Sequence, residues 1–252
     1  MLLSAEHVCL SFGGLKAVND VSMCVEEGKI TGLIGPNGAG KTTFFNLISG
    51  VYKPDSGVIR FMDQQISGLK PYQINHLGIS RTYQVINLFG NMCALDNVLV
   101  GMHPRMKSGY FSALLHTKPE RIEEAEAKER AMEWLEFVGL ADFALQKANS
   151  LSYGDQRKLE IVRGMASNPR ILLLDEPAAG MNSKEKRDLD VLLKKIIQRG
   201  ISILIIEHDM KLMMGVADYI YVLNFGKKLA EGSPAEIQKH PEVITAYLGG
   251  DQ

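Results

Sequence analysis

The sequence has only three cysteines and no long apolar run. Cys9, Cys24 and Cys93 are odd in number and widely spaced, which argues against a disulfide framework or a zinc site and favours reduced thiols. No apolar run approaches the roughly 18 residues that a membrane-spanning helix needs. Residues 1–7 lack a basic region followed by an apolar stretch, so we expect no signal peptide.

The chain also lacks an excess of charge of either sign. Its 28 Lys and Arg residues nearly balance its 29 Asp and Glu residues, and the net charge of −1 gives no electrostatic reason to expect nucleic-acid binding. We find no tandem repeat and no low-complexity tract. With 252 residues, 46% of them hydrophobic, the chain has room for one large α/β domain or two small ones.

A glycine-rich segment is the most informative part of the sequence. Residues 35–43 fit the pattern G-x-x-x-x-G-K-[ST] of a phosphate-binding P-loop. The apolar, β-branched run 30–34 before it predicts a buried strand, and residues 42–49 after it predict a helix that Gly50 ends. Strand, loop and helix in this order are the context that a P-loop requires. The candidate phosphate-binding residues are Gly35, Pro36, Asn37, Gly38, Ala39, Gly40, Lys41, Thr42 and Thr43.

The residue types in this segment suit a polyphosphate. Glycines allow backbone N–H groups to turn inward and approach an anion, and the helix N-terminus adds its positive dipole end. In such a loop Lys41 would reach the β- and γ-phosphates, and the Thr42 hydroxyl would hold Mg²⁺.

Further apolar runs predict the rest of the core. Residues 8–12, 21–25 and 58–61 have the pattern of strands separated by turns. The continuous runs 171–174 and 201–206 are typical of a parallel sheet that is covered on both faces. We therefore predict an α/β core.

A helical insertion interrupts this core from about residue 90 to about residue 165. Within it, residues 119–138 are rich in helix formers and carry an apolar stripe, which predicts a long helix.

Two carboxylates follow the apolar run 172–174, in the arrangement of a Walker B motif. Asp175 would bind Mg²⁺, in our interpretation through water. Glu176 follows directly and is placed to polarise an attacking water as general base.

Three further segments lie at predicted element ends. Ser152 and Gly154 stand just before a helix predicted from Arg157 onward, where a hydroxyl and a backbone N–H could contact a phosphate. Gln84 and His208 each follow a predicted strand.

Taken together and in this order, these motifs resemble the ATP-binding subunit of an ABC transporter over nearly the whole chain. The most specific element is the Leu-Ser-x-Gly signature between the P-loop and the Walker B strand. The resemblance implies that Phe12 stacks on adenine, although a lone Phe in a strand is also typical of a core. It implies that Gln84 touches Mg²⁺ and its water, that His208 contacts the γ-phosphate, and that Ser152 and Gly154 clasp the γ-phosphate of ATP held by a second subunit.

Two departures from the family pattern stand out. Tyr153 and Asp155 replace the third and fifth residues of the usual Leu-Ser-Gly-Gly-Gln signature. Because Asp155 puts a carboxylate near a polyphosphate, we expect it to face away from that site. Asn182 stands in the dimer-crossing D-loop, residues 178–182, where aspartate is common.

A subgroup is suggested by Leu-Ser-Tyr-Gly and by the runs 176–182, 206–213 and 246–249. These runs look like the ATP-binding subunits of branched-chain amino acid importers. They look most like the longer of the two paralogues that such systems contain, as does the insertion from His103 to Lys118.

The resemblance implies a single ABC ATPase domain over residues 1–252, of the P-loop NTPase α/β class with a mixed or parallel sheet. Residues 1–90 and 166–252 would form the core with an N-terminal antiparallel β subdomain, and residues 91–165 a helical subdomain containing the signature. The implied cofactors are ATP and Mg²⁺. The implied partners are a second ATPase subunit (a copy or a paralogue), transmembrane permease subunits and, indirectly, a solute-binding protein. The implied location is peripheral, on the cytoplasmic side of the inner membrane.

Other functions stay open from sequence alone. A lipid or lipopolysaccharide exporter subunit shares the size and many motifs, and a soluble non-transport ABC ATPase shares the domain. A GTPase fits less well, because the sequence has no Asn-Lys-x-Asp guanine-reading motif. Leu88, Phe89 and Met92 could face a membrane partner or belong to the core.

Overall fold

The computed structural model describes residues 1–103 and 118–248. Contacts divide the chain into two compact units: Met1–Gln84 with Arg170–Gln252, and Val85–Pro169. The insertion expected from His103 to Lys118 falls mainly on residues 104–117, outside the described residues.

The first unit contains a four-stranded antiparallel sheet. Its strands lie in the order β2-β1-β4-β5. The long β1 and β2 form a hairpin whose pairing register shifts at three points along the strands. The strands are β1 Leu3–Phe12, β2 Leu15–Val25, β4 Ser56–Phe61 and β5 Gln64–Gln65.

The same unit contains a six-stranded sheet in the order β10-β9-β3-β8-β7-β6. Neighbouring strands are parallel except for the terminal hairpin of β9 and β10. Every residue of β3, β7 and β8 is buried, as the continuous apolar runs predict. The strands are β3 Ile30–Ile34, β6 Ile79–Arg81, β7 Ile171–Asp175, β8 Ser202–Ile206, β9 Tyr219–Asn224 and β10 Lys227–Gly232.

Helix α1, Lys41–Ile48, joins the two sheets into one core. Its Phe44, Phe45, Leu47 and Ile48 are almost fully buried and belong to a cluster with residues of both sheets. Complete burial of each large apolar side chain contributes roughly 1.5–3 kcal/mol. The other helices of this unit in the described ranges are α2 Pro71–Leu77, α6 Ser183–Gln198, α7 Met210–Val216, α8 Pro234–Ile237 and α9 Pro241–Leu248.

The second unit is helical. Helix α3, Ala94–Met102, packs against α4, Lys118–Phe137, and α5, Tyr153–Met165, with short 3₁₀ turns between the last two. In α5 a fully buried ion pair joins Arg157 and Glu160 at 2.8 Å, and Glu160 also accepts the backbone N–H of Asn87. Removal of one member of such a pair would leave the other charge buried and would cost about 3–5 kcal/mol.

The predicted fold class is confirmed: an α/β protein with a largely parallel sheet, an antiparallel sheet and a helical insertion. All three cysteines are free and partly exposed. Among the described residues, none of the helices combines the length and the apolar character that crossing a bilayer requires.

Gly101 in α3 allows a close helix contact that can be tested. A Cβ atom there would overlap the backbone carbonyl of Arg163 in α5. We expect Gly101→Ala to destabilise the helical unit by about 1–3 kcal/mol, because a backbone carbonyl cannot move aside cheaply. The fluorescence of Trp134, the single tryptophan, monitors the unfolding of this unit in urea.

Gly215→Ala is the matched control for this prediction. Gly215 also lies in a helix, α7, but has open space where a Cβ would stand. Alanine there is expected to be neutral or to stabilise by up to about 1 kcal/mol. An unchanged midpoint for Gly101→Ala would contradict the packing argument.

Candidate functional site

The P-loop lies where the sequence predicts it, between β3 and α1. Gly40 has a left-handed backbone (φ +98°) and immediately precedes α1, which begins at Lys41. A side chain at Gly35 would overlap the carbonyl oxygen of Leu223 in β9, and one at Gly40 would overlap that of Ala17 in β2. The backbone N–H of Gly226 also donates to the carbonyl of Ala39 at 3.1 Å. The loop is therefore held on two sides by neighbouring strands.

The amine of Lys41 lies inside this loop. Its Nζ donates to the carbonyl oxygens of Gly35, at 2.7 Å, and Pro36, at 2.9 Å. Burial lowers the pKa of Lys41, while the nearby carboxylates of Glu176 and Asp175 act in the opposite direction. The amine thus points into a loop whose amides suit an anion.

A cavity of about 420 Å³ opens from the P-loop. Thr42 and Thr43 at the start of α1 line it, together with Glu176 and His208.

Aromatic side chains line the same cavity. Phe12, at the end of β1, is half-exposed here and packs edge-to-face on Tyr52, with ring centroids 5.2 Å apart. Its exposure fits a stacking surface better than a core position. Phe225, in the turn between β9 and β10, also lines the cavity and is largely exposed. No motif in the sequence pointed to Phe225.

Asp175 ends β7 and is almost completely buried, next to Arg81 at the end of β6. Arg81 Nη2 donates to Asp175 Oδ2 at 2.9 Å. Burial raises the pKa of the Asp175 carboxyl, and the hydrogen bond and charge of Arg81 oppose that rise. Arg81 is a residue that sequence reasoning missed, because a lone arginine at a strand end carries no motif.

The three predicted catalytic side chains lie in contact, with Gln84 and His208 both bonded to the carboxylate of Glu176. Glu176 Oε2 accepts from Gln84 Nε2 at 2.9 Å, and Glu176 Oε1 lies 2.6 Å from His208 Nε2. Glu176 also has a left-handed backbone (φ +49°), which is strained and uncommon for a residue other than glycine.

Glu207 is a second buried carboxylate that the sequence did not single out. Its Oε1 accepts the backbone N–H of Ala178 at 2.6 Å, and its Oε2 accepts that of His208 at 3.2 Å. Burial raises the pKa of Glu207, against the effect of these backbone donors. Glu207 therefore ties the D-loop to the segment that carries His208.

Asn182, noted as a departure in the D-loop, caps α6. Its Oδ1 accepts the backbone N–H groups of Lys184 and Glu185, and the Glu185 side chain accepts that of Asn182 in return. Asparagine caps a helix as well as aspartate does, so this departure leaves the helix start intact.

The signature segment lies in the helical unit. Ser152 is the N-cap of α5, which begins at Tyr153, so the prediction of a helix from Arg157 was four residues late; the Ser152 cap is the local reason. Asp155 contacts its own helix start: Ser152 Oγ donates to Asp155 Oδ2 at 2.7 Å, and Asp155 Oδ1 pairs with Lys158 at 3.1 Å. That Asp155 faces away from a bound phosphate stays a prediction. Gly154 lies in the first turn and is buried.

The residues present fit a magnesium ion. In the described part of the chain no cluster of three His, Cys, Asp or Glu side chains could hold a metal. Mg²⁺ in nucleotide sites binds through one or two carboxylates together with substrate phosphates and water. Asp175 Oδ1 is buried and has no hydrogen-bond partner among the described atoms, which leaves it available to a cation or its water. Thr42 and Gln84 are the other candidate ligands.

Comparison with known proteins gives the family. The family model for the ABC transporter matches residues 18–179, and a model for the branched-chain amino acid ATP-binding cassette transporter matches residues 227–252. The high-affinity branched-chain amino acid transport ATP-binding protein LivG of Escherichia coli K12 is 49% identical over 98% of both chains. The lipopolysaccharide export system ATP-binding protein LptB of Acidithiobacillus ferridurans is 36% identical over 98% of this chain and 97% of that protein.

Solved structures agree with this result. The ADP conformation of MJ1267, an ATP-binding cassette of an ABC transporter, has a TM-score of 0.87 and 33% identity over 98% of both chains. A dimeric post-hydrolysis state of the cassette MJ0796, bound to ADP and Pi, has a TM-score of 0.77 and 26% identity over 92% of this chain and 99% of that one. The fold and site thus define a nucleotide-binding cassette. The chain belongs to the ABC transporter family, and it is an ATPase subunit of that family.

The position of Lys41 predicts its effect on nucleotide binding. We expect Lys41→Ala to weaken ATP binding roughly 10- to 100-fold, because a charge-assisted contact contributes about 1.5–3 kcal/mol. Isothermal titration calorimetry measures this directly. Lys29→Ala is the control, since Lys29 lies at the other end of β3 and pairs only loosely with Asp218, at 3.8 Å. Equal ATP affinities of Lys41→Ala and Lys29→Ala would refute the assignment of Lys41 to phosphate binding.

Proposed function

We propose that this chain energises an importer of branched-chain, hydrophobic amino acids by binding and hydrolysing ATP. The observation that carries the ATPase chemistry is the placement of Glu176 between Gln84 and His208, directly after Asp175 and on the wall of the P-loop cavity. The identity of 49% with LivG, against 36% with LptB, and the match of residues 227–252 support the amino acid substrate over lipopolysaccharide.

The P-loop side of the site would bind the nucleotide. Loop amides from Gly35 to Gly40 and the start of α1 would hold the phosphates, with Lys41 on the β- and γ-phosphates. Phe12 would stack on the adenine ring. Mg²⁺, held by Thr42, Gln84 and, through water, Asp175, would neutralise charge that develops on the phosphates.

Glu176 would take a proton from the attacking water. His208 and Gln84 both contact its carboxylate, so they hold it in one orientation and can respond to the γ-phosphate and the metal. This chemistry depends mainly on positioning and on charge stabilisation, as phosphoryl transfer does in general.

A second ATPase subunit, a copy or a paralogue, would complete the site. Ser152 and Gly154 lie at the N-terminus of α5 in the helical unit, where a hydroxyl, backbone amides and the helix dipole suit a γ-phosphate. ATP would favour the closed head-to-tail dimer, and hydrolysis with phosphate release would allow it to reopen.

Permease subunits in the membrane would convert this opening and closing into transport. Phe89 and Met92, which are nearly half-exposed in the helical unit, are candidates for that contact. The chain would then lie peripherally on the cytoplasmic side of the membrane, and a solute-binding protein would act indirectly. Copurified permease subunits would test the substrate class, and lipopolysaccharide-export subunits in their place would overturn it.

Replacement of the proposed base gives a direct test. We expect Glu176→Gln to keep ATP binding while hydrolysis falls by about 10²- to 10⁴-fold, since the amide cannot accept the proton. An ATP-bound dimer should then accumulate, measured by size-exclusion chromatography with light scattering. Glu6→Gln, at an exposed carboxylate paired with Arg60, is the control for a general effect of the substitution. Near-normal turnover in Glu176→Gln would remove Glu176 as base.

The Ser152–Asp155 contact predicts a second effect, on dimer formation. The carboxylate holds the hydroxyl proton of Ser152 and repels phosphate. In a Glu176→Gln background, Asp155→Asn should lower the ATP concentration for half-maximal dimer formation about 2- to 5-fold, and salt should reduce the difference. Asp142→Asn, at an exposed site in the same unit, is the control. A higher ATP requirement for Asp155→Asn would show that the carboxylate assists closure.

A further inference from the structure

Arg81 is fixed by three oxygen atoms from two elements of the core. Its side chain is only 6% exposed. Besides the bond from Nη2 to Asp175, its Nη1 donates to Asn46 Oδ1 at 2.7 Å and to Ser49 Oγ at 2.8 Å. Asn46 belongs to α1, and Ser49 follows its last residue. A planar guanidinium that donates hydrogen bonds from both terminal nitrogens is held in one orientation.

The two oxygen atoms of Asp175 are in different situations. Oδ2 accepts from Arg81, whereas Oδ1 is buried without a hydrogen-bond donor among the described residues. A buried carboxylate oxygen without a donor is costly and is rare in folded proteins. A cation, or a water bound to one, at Oδ1 would explain it.

We propose that Arg81 is a positioning residue for the magnesium ion, through Asp175. The guanidinium occupies Oδ2 and so turns Oδ1 toward the metal or its water. Through Asn46 and Ser49 it also ties Asp175 to α1, the helix that begins with Lys41 and Thr42. One side chain then sets the spacing between the two halves of the metal site, β7 and α1. This inference rests on the magnesium site of the proposed function.

A purely structural role would be charge compensation, in which Arg81 only neutralises a buried aspartate. The two roles differ in what a substitution changes. Arg81→Lys keeps the positive charge but loses the planar fork, so it can no longer bridge Asp175 and α1. Asn46→Ala keeps both charges and removes one anchor of the guanidinium. Both variants should disturb metal binding if Arg81 positions the site, and neither should do so if its charge alone matters.

The experiment measures ATP binding by calorimetry, first in EDTA and then at increasing Mg²⁺ concentrations. Mn²⁺ binding, measured by electron paramagnetic resonance, gives a second readout that does not depend on activity. For Arg81→Lys we expect metal-free ATP affinity within about twofold of wild type. The half-saturating Mg²⁺ concentration and the Mn²⁺ dissociation constant should rise roughly 10- to 100-fold, the range for lost outer-shell partners of a metal ligand. Asn46→Ala should raise the half-saturating Mg²⁺ concentration and the Mn²⁺ dissociation constant by a smaller factor.

Arg170→Lys is the matched control. Arg170 pairs with Glu27 at 3.1 Å, and both side chains are more than half-exposed. The Mg²⁺ dependence of ATP binding by Arg170→Lys should therefore equal that of the wild-type protein. Thermal melting of each variant reports folding; if Arg81→Lys does not fold, Asn46→Ala decides the question.

Each remaining outcome has one meaning. If Mg²⁺ does not change ATP binding by the wild-type protein, the proposed metal site is wrong. If wild type responds to Mg²⁺ and the Arg81 and Asn46 variants respond equally well, the positioning role is wrong and the metal site stands. If a variant loses metal-free and metal-dependent ATP binding in equal measure, Arg81 has only the structural role.

Discussion

The parallel pairing of β3, β8 and β7 is the constraint on which the rest of the site depends. Asp175 at the end of β7 is in register with Ile206 at the end of β8, and Ile206 is in register with Leu33 of β3. The carboxyl ends of parallel strands meet at one edge of a sheet. A shift of one residue in either pairing would move the P-loop, the two carboxylates and His208 apart. Because these strands are buried on both faces, their packing opposes such a shift.

Charges buried at this edge are compensated by the protein itself. Asp175 forms an ion pair with Arg81, and Lys41 donates to two loop carbonyls. Glu207 accepts hydrogen bonds from two backbone N–H groups. A buried charge without partners would cost several kcal/mol. These partners allow the protein to hold the buried charged groups close together at this edge of the sheet.

Much of this arrangement could be predicted from local sequence. Continuous apolar runs give β3, β7 and β8 to within a residue, and motif spacing places Gln84, Glu176 and His208 at strand ends, where the structure brings them into contact. Their catalytic roles stay proposals. Arg81 and Glu207 were missed because their partners Asp175 and Ala178 are far away in sequence and are brought close by the fold. Phe225 was missed because a lone aromatic in a turn carries no motif. The Ser152–Asp155 contact was not predicted, because the motif gives no direction for the Asp155 side chain.

The clamped P-loop has a kinetic consequence. Gly35 packs against Leu223, Gly40 packs against Ala17, and Ala39 is bonded to Gly226, so the neighbouring strands and turn restrict how far the phosphate cradle can move. A preorganised receptor loses little conformational entropy on binding, so capture of nucleotide can approach the rate set by diffusion. The slow, regulated steps of the cycle are then expected between protein subunits, since the loop backbone needs to move little for nucleotide to bind.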